Sequence, residues 1–516
     1  MDRKFIAIFI FVIVIGILVR SITYQYNTFL EPDVFVYYSV AQQTLANHLH
    51  LTSTLSSLPY DESSFLIYLP IAFSYVFGSL KTAFLILPIL AAVGEMILVY
   101  MVSTEITENK WAGLFSMFLF SIIVAAILKN SVGEWRGETI VPLFQVFGAW
   151  LVIKGFKAWP SPKGKVIIYF ILGGLVWILT IFTWNGGIYV IGIIGIIALL
   201  IAINKATKSL MSTIAIVSVI LSIGTFLIYY FVPYLFGITN NLASTILEVQ
   251  TPTLEFILGA YGLILPFCII GMAIIGWEIR QQETKTWKEY AFYVVLGGFM
   301  VTFALQFMQI RFEALVAIPM CIFGGIGLEW IYYALKSDPK IKITKFAMFI
   351  VIIALLITFF KQVPTYSPAD AINPNFTAAM SWMAQNTPKN STVLTFWPDG
   401  SVVEAIGERY SYTDSVMGLN TINIESFARY LVLRAGNEAY INQTKPDYIV
   451  ARTIWKYEAQ AIGEEAGLGN NCTYPIPNTT KTSCNLNGTN MGQLISANAP
   501  YPIVFQNNDT IIYKVK

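Results

Sequence analysis

The chain has 516 residues, 56% of them apolar and only 12% charged, with a net charge of +2 and a mean hydropathy of +0.63. A soluble domain carries about 25% charged residues, so a water-soluble protein is excluded for most of this length. The basic residues are segregated by loop and form no continuous basic surface, which speaks against a nucleic-acid partner.

In chain order, Met1–Lys4 and the apolar run 5–22 read as an uncleaved first span, because no small-residue cleavage site follows. Glu31-Pro32-Asp33 comes next. The stretch 64–80 is apolar but short and carries Pro70, Ser74 and Tyr75, so it reads as a helix lying at the outer interface. Further spans are expected at 82–101, 112–129, 139–153, 166–182, 187–203, 211–235, 257–276, 290–308, 313–335 and 345–360. That makes eleven, with thirteen as the alternative. One set of loops holds Arg3, Lys4, Lys110, Lys154, Lys157, Lys163, Lys165, Lys205, Lys208, Arg280, Lys285, Lys288, Lys336 and Lys340, whereas the other set has almost no Lys or Arg. The positive-inside rule makes the first set cytoplasmic. An odd span count then leaves the C-terminal region outside.

Residues 361–516 change composition abruptly after Pro364 and Pro368. A helix is expected near 375–386, a strand over 392–396, a helix near 424–435 and a strand at 447–451. A hairpin is expected from 502–506 and 510–515 around Asn507-Asn508-Asp509. The expected organisation is a membrane-embedded domain over 1–360 and an external mixed α/β domain over 361–516. Seven Asn-x-Ser/Thr triplets, at Asn375, Asn390, Asn442, Asn471, Asn478, Asn487 and Asn508, all fall in the second part. Such triplets accept N-glycan only on the non-cytoplasmic side, which agrees with the lysine pattern. Cys472 and Cys484 lie in that part and are candidates for a loop-closing disulfide, while Cys268 and Cys321 sit in apolar runs.

Charged residues at an apolar boundary are costly and usually functional. On the outer side these are Asp33, Glu134, Glu138, Glu248 and Arg311, each in a different loop except for the pair Glu134 and Glu138. Carboxylates gathered near a membrane repel unless a cation joins them, and hard oxygen ligands with few histidines favour Mg²⁺ or Mn²⁺ over zinc. A metal there would act as a Lewis acid on a leaving phosphate, with Arg311 as a charge-assisted partner.

Several motifs resemble, in order, the oligosaccharyltransferase catalytic subunit, archaeal AglB-like. Glu31-Pro32-Asp33 resembles the first acidic motif, and Asn130-Ser131-Val132-Gly133 with Glu138 the second. The family's Asp-x-Glu or Asp-x-His falls on Arg136-Gly137-Glu138, so its aspartate is missing and Glu134 is the candidate replacement. Thr183-Trp184-Asn185-Gly186-Gly187 resembles the tryptophan–diglycine turn, Thr245-Ile246-Leu247-Glu248 the Thr-Ile-x-Glu motif, and Gln309-Ile310-Arg311-Phe312 the arginine segment. Phe396-Trp397-Pro398-Asp399-Gly400 stands where the family has Trp-Trp-Asp-Tyr-Gly, its aspartate moved one place along. The aspartate–lysine helix motif has Lys456 as a weak match.

The resemblance implies a polytopic α-helical membrane protein of the glycosyltransferase C class. Its reaction would move a preassembled glycan from a dolichol-type lipid phosphate or diphosphate to the asparagine of Asn-x-Ser/Thr. Asp33 and Glu248 would accept hydrogen bonds from the acceptor amide, and Asp33, Glu138 and Glu134 would hold Mn²⁺ or Mg²⁺. Arg311 would meet the phosphate. Trp397 and Asp399 would receive the acceptor hydroxyl, a discrimination that a buried hydrogen-bonding site makes strongly. The partners are the lipid-linked donor, acceptor polypeptides and membrane lipid, with the chain acting as a single subunit. The expected place is the cell membrane, with a cytoplasmic N-terminus and an extracellular C-terminal domain. Two other classes remain. One is an O-mannosyl or lipid-modifying transferase using a polyprenyl phosphate. The other is a transporter, which would need mid-span charges, whereas the spans are nearly free of them, with Glu95 the main exception.

Overall fold

The structure is a computed structural model. It describes residues 3–22, 29, 32–51, 64–159, 163–236, 252–281, 287–336, 373–413, 426–432, 438–455, 462, 474–475, 482–483 and 489–516. Glu248 with its Thr245–Leu247 motif, Lys456, Cys472, Cys484 and the expected span 345–360 lie outside those residues. The chain divides into two units. The first is Met1–Gln25, Ile86–Phe236 and Glu248–Tyr366; the second is Tyr26–Leu85, Gly237–Leu247 and Ser367–Lys516.

The first unit is helical. Its elements are α1 (Arg3–Arg20), most of α4 (Leu80–Thr107), α5 (Lys110–Ile122), α6 (Val124–Lys129), α7 (Gly137–Lys157), α8 (Lys163–Thr183), α9 (Tyr189–Thr207), α10 (Leu210–Phe236), α11 (Leu254–Tyr261), α12 (Ile264–Gln281), α13 (Trp287–Met308) and α14 (Glu313–Lys336). Seven helices among the described residues are long and apolar enough to cross a membrane. They match seven of the expected spans. α8 leaves Ile167, Ile168, Ile171, Leu175 and Phe182 exposed, a face that suits lipid.

Two expected spans are not continuous. The run 112–129 breaks at Ile123, whose ψ of 124° is extended, so α5 ends and α6 begins. The run 257–276 breaks at Gly262 (φ 49°), between α11 and α12. The first break leaves carbonyls at the end of α5 without helical partners, and the Arg20 guanidinium takes two of them, donating to Ser121 O at 3.0 Å and Phe120 O at 3.2 Å. Arg20 Nε also donates to Asn130 Oδ1 at 2.6 Å, and Asn130 Nδ2 donates to Glu95 Oε2 at 2.8 Å. The mid-span charge is thereby tied to α1, α5 and the loop after α6. α12 and α14 pack backbone to backbone: a Cβ on Gly271 would strike Phe323 O, and one on Gly327 would strike Phe267 O. Small residues permit this approach where helices associate without water.

α7 is 21 residues long, about 30 Å at 1.5 Å per residue, enough to cross the hydrocarbon layer. At its C-terminal end Lys154 and Lys157 each meet Glu105 at 2.7 Å, and Glu108 joins Lys157 (4.0 Å) to Lys288 (2.9 Å). Lysines from separate expected loops therefore share one end of this unit.

In the second unit, α2 (Pro32–Ala46) and α3 (Ser64–Phe77) accompany the C-terminal region. The short apolar stretch expected as a helix at 64–80 forms α3, which ends at Phe77. The helix α2 has no counterpart in the sequence reading. It packs on α3 and on α16 (Trp397–Ala405). The other elements are α15 (Pro374–Asn386), β1 (Thr392–Leu394), β2 (Tyr410–Ser411), α17 (Ala439–Thr444), β3 (Tyr448–Arg452), the pair β4 (Tyr474–Pro475) and β5 (Thr482–Ser483), α18 (Asn490–Ile495), β6 (Ile503–Gln506) and β7 (Thr510–Lys514). The sheet order is β2-β1-β3-β7-β6, parallel across β2-β1-β3 and antiparallel across β3-β7-β6. β3 is buried at every residue, which is why Tyr448–Arg452 reads as an apolar run rather than an alternating one. The core joins Leu394, Phe396, Leu431, Ile449, Trp455 and Tyr513. Buried Arg409 closes the C-terminus of α15, donating to Ala384 O at 2.9 Å and Thr387 O at 2.5 Å, the same use of a cation that Arg20 makes in the first unit.

Candidate functional site

In the first unit, the end of α7 opposite the lysines carries a knot of five charges. Gly133 (φ 84°) supplies the left-handed turn that brings the chain from α6 back into α7. Ser131 Oγ donates to Ile127 O at 2.7 Å and Val132 N to Arg20 O at 3.1 Å, fixing the loop. Arg136 then grips Glu134 with Nε and an NH2 nitrogen, both at 2.7 Å from Oε1. Glu138, in the first turn of α7, receives Arg311 Nε at 2.8 Å and its NH2 nitrogen at 2.7 Å on Oε1. Glu138 Oε2 has Arg136 at 3.4 Å and Lys129 Nζ at 3.8 Å.

Four of these side chains are nearly sealed; Arg311 alone, at 30% exposure, opens outward. Trp184 sets its position. The guanidinium carbon of Arg311 sits 5.4 Å from the Trp184 ring centroid, and a Cβ on Gly137 would strike the Trp184 side chain. The 3₁₀ turn Asn185–Ile188 holds Trp184 there, and Gly187 is required because a Cβ would strike the Thr180 carbonyl. Trp184 as a platform and Lys129 as a member of the cluster are additions to the expected set.

Glu134 and Glu138, expected as metal ligands, are thus each engaged by guanidinium groups. Among the described residues no group of three or more His, Cys, Asp or Glu side chains is gathered to hold a metal ion. Here two carboxylates stand among three cations, and Asp33, the third expected ligand, belongs to the other unit.

In the second unit, Asp33 lies half-buried in the first turn of α2, directly after Pro32. A proline at the first helical position and a carboxylate in the first turn are what a helix start favours. Asp399 lies in the first turn of α16 and is 3% exposed. Arg452 donates to its Oδ1 at 2.7 Å and the Trp455 indole to its Oδ2 at 2.9 Å. Arg452 Nε also donates to Asp509 Oδ2 at 2.9 Å, and its guanidinium carbon stands 4.1 Å over the Phe376 ring. Burial pushes the ionisation of Asp399 upward against the pull of Arg452. Each oxygen of Asp399 thus accepts from a protein donor. Trp397 and Pro398, at the start of α16, are the half-buried members of the motif.

No family model matches the chain, and no curated protein does. Solved structures do. The Archaeoglobus fulgidus oligosaccharyltransferase AglB, in complex with an inhibitory peptide and a dolichol-phosphate, is 14% identical with a TM-score of 0.74, covering 95% of this chain and 78% of that one. The same enzyme in complex with Zn and sulfate is 15% identical with a TM-score of 0.70, covering 94% and 76%. ArnT from Cupriavidus metallidurans bound to undecaprenyl phosphate is 10% identical with a TM-score of 0.55, covering 100% and 99%. The chain therefore has the fold of the glycosyltransferase C class, as the oligosaccharyltransferase structures display it.

Proposed function

We propose that the chain is an oligosaccharyltransferase that moves a preassembled glycan from a dolichol-type lipid phosphate or diphosphate to asparagine in Asn-x-Ser/Thr. The observation that carries the reading is Arg311, seated on Trp184 and forked onto Glu138, at the end of α7 remote from the lysine cluster, in a fold shared with an enzyme solved with a dolichol-phosphate and a peptide. A guanidinium fork partly open to its surroundings is suited to a phosphate.

In this reading Asp33 and Glu248 accept hydrogen bonds from the acceptor amide. Those bonds loosen the delocalisation that makes an amide nitrogen a poor nucleophile. Arg311 meets the donor phosphate and stabilises the charge that develops as the glycosidic bond to phosphate breaks. Trp397 faces the acceptor residue beyond the asparagine, with Asp399 positioning it through Arg452 and Trp455. Residues 1–360 would be embedded and 361–516 external, at the cell membrane, with the chain acting alone. Mn²⁺ or Mg²⁺ on Asp33, Glu138 and Glu134 was the expected cofactor set. The pairing of both glutamates with guanidinium groups is at odds with it, and no step is routed through a metal.

The test incubates the purified chain with a fluorescent Asn-Val-Thr peptide and an extract of lipid-linked sugars. A glycan-sized mass gain on that peptide, and none on an Asn-Val-Ala peptide, is expected. Sugar appearing on lipid and never on peptide would replace this reading with the second one, a lipid-modifying transferase. The near end-to-end match to ArnT favours that alternative.

A further inference from the structure

We infer that Asn375, Asn390, Asn442 and Asn508 carry N-linked glycan, and that it is attached before the second unit folds. The inference deepens the proposed function by naming an acceptor, the unfolded form of this same chain. It rests on that reading only for which enzyme makes the transfer.

The first observation is a division among the asparagines of the second unit. Those described there that open no Asn-x-Ser/Thr triplet all have bonded side chains. Asn373 Oδ1 accepts from Phe376 N at 2.9 Å and caps α15. Asn386 Nδ2 donates to Trp382 O at 2.8 Å, Asn490 Nδ2 to Tyr430 O at 2.9 Å and Asn498 Nδ2 to Ser496 Oγ at 3.1 Å. Asn507 Nδ2 donates to Asn375 O at 2.8 Å, and its Oδ1 accepts from Asp509 N and Thr510 N. Asn375, Asn390, Asn442 and Asn508 are different. Each is exposed, and its side-chain amide has no hydrogen-bond partner among the described residues. A glycan on a bonded amide would remove a native hydrogen bond; on these four it removes none. Asn471, Asn478 and Asn487 lie outside the described residues.

The second observation concerns the hydroxyl two residues on. Thr377 Oγ1 donates to Asn373 O at 3.3 Å, Thr392 Oγ1 to Asp447 Oδ2 at 2.9 Å, Thr444 Oγ1 to Tyr440 O at 2.9 Å and Thr510 Oγ1 to Asp509 Oδ2 at 3.0 Å. Thr510 is fully buried. A site that reads this hydroxyl needs its hydrogen-bonding capacity free, and in the folded unit all four are committed.

The third is backbone geometry. Asn375 and Thr377 lie in α15, and Asn442 and Thr444 in α17. Residues two apart on a helix point about 200° away from each other, so one cleft cannot take the amide and the hydroxyl together. Thr392 opens β1 and Thr510 opens β7, and each is paired in the sheet, with Tyr410 and Arg452. The amides face outward after folding while the hydroxyls do not, so the transfer comes first.

In that transfer Nδ2 bonds to the anomeric carbon of a lipid-linked glycan. The bond from that carbon to the phosphate oxygen breaks and leaves its electron pair on the phosphate. The amide releases one proton to water.

The experiment takes the full chain from the membranes of cells that make it and maps its glycopeptides by electron-transfer mass spectrometry. Glycan on all four asparagines is expected, and a bare asparagine at any of them would overturn the inference there. The same chain from a host without N-glycosylation, folded by gel filtration, is then incubated with lipid-linked donor and membranes of the original cells. Synthetic peptides spanning the four triplets share the tube. The peptides should be modified at least tenfold faster than the same sites in the folded chain; equal rates would overturn the order of events. Should the bare chain not fold, pulse-labelling in cells reads the same order. Glycan is expected before the chain resists protease, and glycan arriving on resistant chain would overturn it. Glycan at the four sites of a chain that, once purified, transfers nothing to an Asn-Val-Thr peptide would keep this inference and remove the proposed function.

Discussion

Arg311 is held by two different forces, and they separate by mutation. Trp184→Ala removes the cation–π platform, for which about 1 kcal/mol is a usual worth. We expect kcat/KM for a sequon peptide to fall about fivefold with the thermal midpoint nearly unchanged. Arg311→Lys keeps the charge and loses the fork, and should cost about 10- to 100-fold in kcat; an unaltered kcat would remove Arg311 from the reaction. Asp399 should behave differently. Its carboxylate is sealed between Arg452 and Trp455, so Asp399→Ala leaves a buried guanidinium short of one partner. A loss of about 3 kcal/mol in stability is expected, read as a lowered thermal midpoint, whereas Trp397→Ala should raise KM for peptide at constant midpoint. At this scale the sequence was readable where a charge stands at the edge of an apolar run, as Glu138 and Arg311 do. The fate of Asp399 was not readable, because its partners lie more than fifty residues along the chain and nothing local to Phe396–Gly400 announces them. Lys129 was hidden for a related reason: it ends an apolar helix, where a lysine ordinarily reaches for water.

Helices were legible as apolar runs, their interruptions less so. Hydropathy continues unchanged across Ile123 and Gly262, so the breaks between α5 and α6 and between α11 and α12 needed the backbone to be seen. α2 escaped because Val34–Tyr37 is a solid block of buried residues with no helical spacing. The close pairing of α12 and α14 yields a test at this scale. Gly327→Leu drives a side chain into the Phe267 carbonyl, and loss of folded protein in detergent is expected, whereas Gly164→Leu, where a Cβ meets open space, should be tolerated. The strands of the second unit yield another. Burial raises Tyr513 in β7 to about 12, from an ordinary value of 10, and raises Tyr440 to about 12 likewise. A group whose folded value is raised stabilises fully below its unfolded value and ceases to do so as pH rises through the folded one. The thermal midpoint of this unit should therefore hold to about pH 10 and fall between about pH 10 and 12. Phenolate absorbance that develops fully below pH 10 would contradict the burial.

For the molecule as a whole, the fold class was within reach because two weak signals, lysine-rich loops and clustered sequons, are each counted over hundreds of residues. The structure gathers Lys154, Lys157 and Lys288 at one end of the helical unit and the Arg311 cluster at the other end of α7. Which end faces the cell interior is a matter for labelling. A membrane-impermeant thiol reagent should miss a cysteine placed at Lys157 in intact cells and reach one placed at Asn390; the reverse pattern would invert the topology. The helical unit had to be assembled before the site could be understood, since its members come from α6, the following loop, α7, the tryptophan turn and the segment before α14.

The interruption at Ile123 has one further consequence. Residue 124 opens a new helix, preceded by a residue with φ −71° and ψ 124°, and an amide at such a start has no carbonyl one turn back to meet. A proline, normally ruinous in the middle of an apolar crossing, fits that backbone on both sides of the peptide bond. Val124→Pro should yield folded, active protein, while Phe118→Pro, six residues earlier in α5, should yield none.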